Sequence, residues 1–129
     1  MANYFGGTVA SYTINEADGS LNKPNLLEKH PGKSINAERQ EAAHAHYIQS
    51  DHNNKFVLVA DLGIDKIVKY KLDENSGELL LEKGDEYAYE GKPGAGPRHL
   101  SFHPNNKIVY LLNELDSTVV VLAYNEDNG

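Results

Sequence analysis

The chain has 129 residues, no cysteine, 12 Lys and Arg against 19 Asp and Glu, and a formal net charge of −7. Disulfides and thiol catalysis are excluded, and the acidic balance works against nucleic-acid or anionic-membrane partners. No apolar run nears the roughly 20 residues of a membrane span. The opening MANYFGG lacks the basic and apolar regions of a signal peptide. A cysteine-free chain of this kind reads as a cytoplasmic protein.

The first element is a truncated repeat. ANYFGGTVASYTINEADGSL aligns with ADLGIDKIVKYKLDENSGEL at an offset of 58 residues, so that Ala2 meets Ala60, Val9 meets Ile67, Tyr12 meets Tyr70 and Gly19 meets Gly77. Next comes NAERQEAAHA, Asn36 to Ala45, a short helical turn or a loop. Asp51-His-Asn-Asn54 is a turn before a nearly continuous apolar run, Phe56 to Ala60, which reads as a strand buried on both faces. Lys66 to Leu72 is rich in β-branched and aromatic residues and reads as the next strand. Asp73 to Gly77 closes a hairpin, and Leu79 to Glu82 begins an outer strand.

The pattern then recurs. NNKFVLVADLGIDKIVKYKLDENSG, from Asn53, superposes without gaps on NNKIVYLLNELDSTVVVLAYNEDNG, from Asn105, at an offset of 52 residues. Four short strands in about 50 residues match a blade of a β-propeller. The expected fold is all-β, about two and a half four-stranded antiparallel blades of a larger ring. The expected divisions are residues 1–35 (partial blade), 36–91 (blade) and 92–129 (partial blade). The remaining blades are expected elsewhere in a longer parent chain, because open strand edges and bare blade faces need partners.

Three segments stand out against the repeat. They are Glu38-Arg39-Gln40-Glu41-Ala42-Ala43-His44-Ala45-His46, Gly94-Ala95-Gly96-Pro97-Arg98-His99 and Asn113-Glu114-Leu115. The offset of 52 maps His46 onto Arg98, at the entrance to the innermost strands of adjacent blades. It maps Glu114 onto Leu62, a charge in place of an apolar residue. An imidazole, a guanidinium and a carboxylate at one mouth suit hydrolysis of an anionic ester or lactone. The expected catalytic set is His46, Arg98 and Glu114, with either His46 or Glu114 as the base. Arg39, Gln40, His44 and His99 are expected to bind substrate. On a strand, His44 and His46 would share one face, but two ligands alone are a weak metal signal. Gly91 to Pro97 lacks the Lys-Ser/Thr of a phosphate-binding loop. Neither metal nor cofactor is expected. His103 and Asp61 read as turn residues.

At ANYFGGTVASY, AERQEAAHAH, VADLGIDKIVKYKL, GAGPRHLSFHPN and YLLNELDSTVVV the chain resembles the lactonase family of seven-bladed β-propellers. That family includes propeller-type 6-phosphogluconolactonases and carboxymuconate cyclases. The resemblance implies a ring of seven blades and a channel-side His, Arg and Glu, which fall on His46, Arg98 and Glu114. It also implies a small-molecule sugar lactone as substrate, most specifically 6-phosphogluconolactone of the pentose phosphate pathway. A muconate-type lactonizing cyclase and a non-catalytic binding propeller are the alternatives.

Overall fold

The computed structural model describes all residues, 1–129, as eleven strands without a helix. No helix is long and apolar enough to cross a membrane. The strands form three antiparallel sheets in chain order. The first holds β1 (Ala2–Asn3), β2 (Thr8–Ile14) and β3 (Leu21–Lys29). The middle sheet runs β4 (Ala45–Ser50), β5 (Phe56–Asp61), β6 (Lys66–Asp73) and an outer edge made of β7 (Glu78–Leu80) and β8 (Tyr87–Glu90), both paired to β6. The third holds β9 (Pro97–Phe102), β10 (Ile108–Asn113) and β11 (Thr118–Ala123). Each sheet is a meander from an inner strand outward, the construction of a propeller blade.

Alternation along β5 explains how the sheets stack. Successive side chains of a strand point to opposite faces. Val57 and Val59 enter one core with Val9, Ala43, Ala45, Val68 and Tyr70, which joins the first and middle sheets. Leu58 and Ala60 enter a second core with Leu100, Phe102, Val109, Leu111 and Tyr124, which joins the middle and third sheets. Every residue of β5 is buried, as the continuous apolar run requires. Full burial of each large aliphatic side chain stabilises the fold by about 1.5–3 kcal/mol.

The repeat is also written in the backbone. Gly7, Asp65 and Ser117 occupy equivalent turn positions and share φ of 58, 57 and 57°. Asn54 and Asn106 do the same at 53 and 54°. These left-handed positions recur because each blade makes the same turns.

Two features depart from the repeat. The outer edge of the middle sheet is not one strand, because residues 81–86 turn away between β7 and β8. Lys69, buried on β6, meets the detour. Its ammonium binds Asp85 at 2.8 Å and the Asn128 carbonyl at 2.5 Å, and a buried ammonium needs such partners. The second departure is the 15-residue connection of residues 30–44, against six residues (91–96) at the next junction. It is an irregular loop that holds a single helical turn at residues 36–40, where the Gln40 amide donates to the Asn36 carbonyl at 2.7 Å. This loop is clasped against two glycines: a Cβ on Gly63 would lie 1.9 Å from the Ala42 carbonyl oxygen. A Cβ on Gly7 would lie 2.4 Å from that of Ala43. Only a residue without a side chain fits at either place.

Candidate active site

The two inner strands carry the same defect at the same repeat position. In the β4–β5 pairing, Ala45 faces Asp61 and Tyr47 faces Ala60, which leaves His46 as an extra residue. In the β9–β10 pairing, His99 faces Leu112 and Pro97 faces Asn113, which leaves Arg98 as an extra residue. A β-bulge frees one side chain from the alternation and re-aims it. Both bulges point their residue into one open concavity of about 490 Å³, lined by Tyr4, Phe5, Glu38, Arg39, Glu41, His44, His46, Arg98 and Glu114.

Glu114 is the centre of this concavity. Arg98 donates from Nε to its Oε2 at 2.8 Å. Arg39 donates from Nη2 to its Oε1 at 2.6 Å, and also to the Tyr4 hydroxyl at 3.3 Å. The His46 Nε2 stands 4.0 Å from Glu114 Oε2. The hydrogen bond from Arg39 is the largest influence on the Glu114 carboxyl, and with Arg98 it holds the pKa below the usual carboxylate value. Burial, followed by the charge of Arg98, pushes His46 below the ordinary imidazole value, so the ring is neutral at pH 7. Its Nδ1 is buried without a partner. A proton there would lack an acceptor, so the hydrogen-bonding pattern assigns the proton to Nε2, facing Glu114.

His46, Arg98, Glu114, Arg39 and His44 thus meet at one mouth, while two residues expected to bind substrate do not. Gln40 is fully buried. Its amide donates to the Leu62 carbonyl and to Asp65 Oδ1, each at 2.8 Å, and its oxygen accepts from the Asn36 amide at 3.2 Å. It is a strut of the 30–44 loop, with no group left for a ligand. His99 lies outside the concavity. It follows the bulge on the exposed side of β9 and packs at 5.2 Å from His46 and 5.0 Å from Tyr47, ring to ring.

His44 precedes β4 and does not share a strand face with His46. It stacks on Tyr4 at 4.5 Å, and its ring nitrogens meet the Tyr4 carbonyl at 3.0 Å and the Glu41 carboxylate at 3.1 Å. No three His, Asp or Glu side chains gather closely enough to hold a metal ion. Asp61 is a turn acceptor: its Oδ1 accepts from the His44 and Gly63 amides at 2.8 and 3.0 Å. His103 accepts from the Asn105 amide at 3.2 Å, also within a turn.

The sequence reading missed Tyr4, yet a signal existed. Offsets of 58 and 52 place Tyr4, Leu62 and Glu114 at one repeat position, the turn between the second and third strands. Only Leu62 is buried there. It also missed His30, which is buried between Asp61, at 2.6 Å from Nδ1, and the Tyr70 hydroxyl, at 2.8 Å from Nε2. Burial keeps the Tyr70 hydroxyl protonated.

Sheets packed face to face with their inner strands gathered at one ionisable mouth define a β-propeller. The chain belongs to the family described as Lactonase, 7-bladed beta-propeller, whose profile matches residues 1–129. It is 41% identical over 128 residues to the 6-phosphogluconolactonase of Bacillus subtilis, covering 99% of this chain and 34% of that protein. The structure superposes with a TM-score of 0.87 on the periplasmic gluconolactonase of Pseudomonas aeruginosa, at 32% identity over 99% of this chain and 36% of that one. A Lactobacillus plantarum protein superposes at 0.85 with 32% identity, covering 99% of this chain and 35% of its own. The chain therefore spans about a third of the length of these relatives.

Proposed function

We propose that the protein hydrolyses a sugar lactone, with 6-phosphogluconolactone, opened to 6-phosphogluconate in the pentose phosphate pathway, as the substrate. The observation that carries this reading is the Glu114 carboxylate clamped between two guanidiniums, 4.0 Å from a neutral imidazole. Family membership and the named Bacillus relative support the choice of chemistry. The compartment proposed is the cytoplasm, which suits the absence of cysteine. The family alone does not set it, since the Pseudomonas neighbour is periplasmic.

Water attacks the ring carbonyl carbon, and Glu114 takes the proton that the water loses. His46 donates a hydrogen bond from Nε2–H to the carbonyl oxygen as it gains charge, and Arg98 adds to that stabilisation. The ring C–O bond then breaks, and Glu114 returns its proton to the leaving alkoxide. Neutral His46 acts here as a donor rather than a base, because an imidazolium would bury an unpartnered Nδ1–H. The arginines suppress the basicity of Glu114 while they hold it. A phosphate or carboxylate on the substrate competes for Arg39, the more exposed of the two, and its departure restores the carboxylate as a base.

The test is hydrolysis of 6-phosphogluconolactone and of unphosphorylated gluconolactone by the full-length protein. The reading expects a higher kcat/KM for the phosphorylated lactone, and a preference that narrows in Arg39→Met. Equal turnover of both would remove the phosphate from the account. No turnover of either above the buffer rate would leave a binding propeller.

A further inference from the structure

The middle blade contributes no reactive side chain from its own turn at residues 62–64, since Leu62 is buried where its neighbours carry Tyr4 and Glu114. What that turn does carry is a buried carboxylate. Asp65 is 4% exposed and sits at φ 57°, a position filled by glycine in the first repeat and serine in the third. Aspartate tolerates the left-handed region, where its short side chain is free to form hydrogen bonds.

Those bonds run to two separate loops. From the 30–44 loop, Gln40 donates to Asp65 Oδ1 at 2.8 Å and the Ser34 hydroxyl donates to Oδ2. From the 91–96 loop, the amides of Gly96 and Gly94 donate to Oδ1 and Oδ2, each at 2.7 Å. Gln40 is the residue after Arg39. Gly96 lies two residues before Arg98, and its carbonyl accepts the Glu114 amide at 2.7 Å. One carboxylate is therefore bonded directly to the segments that bear both arginines, and through Gly96 to the residue they hold.

We propose that Asp65 is the positioning residue of this mouth, setting the relative placement of Arg39, Arg98 and Glu114 without touching any of the three. Its two oxygens accept four bonds in a buried setting, where a charged acceptor forms stronger bonds than a neutral one. An amide in its place presents one oxygen and an NH₂, and that NH₂ would face donors. The 30–44 and 91–96 loops then lose their shared anchor, and the guanidiniums drift from Glu114. Misplacement of about 1 Å is enough to cost around a hundredfold in rate.

The inference rests on the reading of this mouth as the catalytic site. Its test reads the carboxyl itself, so an inactive protein and a misplaced carboxylate are told apart. The experiment follows the Glu114 side-chain carboxyl by carbon NMR across acid titration in the full-length protein, alongside lactone hydrolysis. The groups facing that carboxyl are Arg39, Arg98 and His46. Asp65→Asn is expected to raise the Glu114 midpoint toward the ordinary value near 4.3 and to lower kcat/KM about ten- to a hundredfold. Asp51→Asn is the control. Asp51 is as deeply buried, accepts three hydrogen bonds and serves the other end of the same sheet. It is expected to lower stability and leave the Glu114 midpoint in place. If Asp65→Asn does not fold, Gln40→Met removes one of the four bonds at similar volume and gives the same upward shift at smaller size. A Glu114 midpoint unchanged in the Asp65 or Gln40 variant, or moved equally by Asp51→Asn, overturns the proposal.

Discussion

At one end of the middle sheet, Asp51 accepts the amides of Lys55 and Phe56 at 2.8 and 3.2 Å and the Tyr124 hydroxyl at 3.1 Å. At the other end, Asp61 and Asp65 accept from three loops, and arginines, histidines and a glutamate gather above them. Both ends use a buried aspartate to satisfy turn amides that would otherwise be orphaned. At the Asp51 end the bonds close a turn and join two blades through Tyr124. At the Asp61 and Asp65 end the same device spaces charged side chains that, without it, would relax into solvent. The difference lies in what the anchored loops carry, not in how they are anchored.

The largest effect expected is at the charged end. Glu114→Gln leaves the shape of the mouth but removes the proposed proton acceptor, and kcat/KM is expected to fall on the order of 10²–10³-fold. Steady-state hydrolysis with a melting curve checks that the fold survives. Next is the glycine clasp beneath the Arg39 loop. Gly63→Ala forces a methyl to within 1.9 Å of the Ala42 carbonyl oxygen, and a loss of about 3 kcal/mol is expected in urea unfolding. Smaller again is the Asp51 end, where Asp51→Asn is expected to cost about 1–3 kcal/mol. Turnover by the folded fraction should not change; a drop there would erase the distinction between the two ends.

The smallest effect is in pH dependence. Folding lowers the His46 pKa, so the unfolded chain binds the proton more readily. Stability is therefore lost as pH falls below the unfolded value near 6.5 toward the lower folded one. Urea midpoints at pH 7.5 and pH 5.5 should differ less in His46→Gln than in the wild type. An equal difference would mean that His46 is not in the neutral, desolvated state described here.

Much of the fold was legible because a propeller repeats its own solution. The gapless offset of 52 is the sequence trace of matching strands and turns, down to the shared left-handed residues Asn54 and Asn106. The alignment of His46 with Arg98 carried the bulge position without revealing a bulge. Periodicity cannot show an inserted residue when both copies contain it. Gln40 and His99 stand apart from the concavity for local reasons. Gln40 lies beside Arg39 in a loop whose inward and outward positions follow no period, and only tertiary packing buries it. His99 adjoins Arg98, and the bulge sends the two side chains to different places. The split of the outer strand into β7 and β8 was equally hidden, since Lys69 and Asp85, which meet at the break, lie 16 residues apart in the chain.

The most direct test of the central claim is a double-mutant cycle on lactone hydrolysis with Arg98→Met and Glu114→Gln. If the 2.8 Å pair acts as one unit, the double variant should be about as slow as the slower single variant. Losses that multiply across the two changes, or wild-type rates in all three variants, would contradict it.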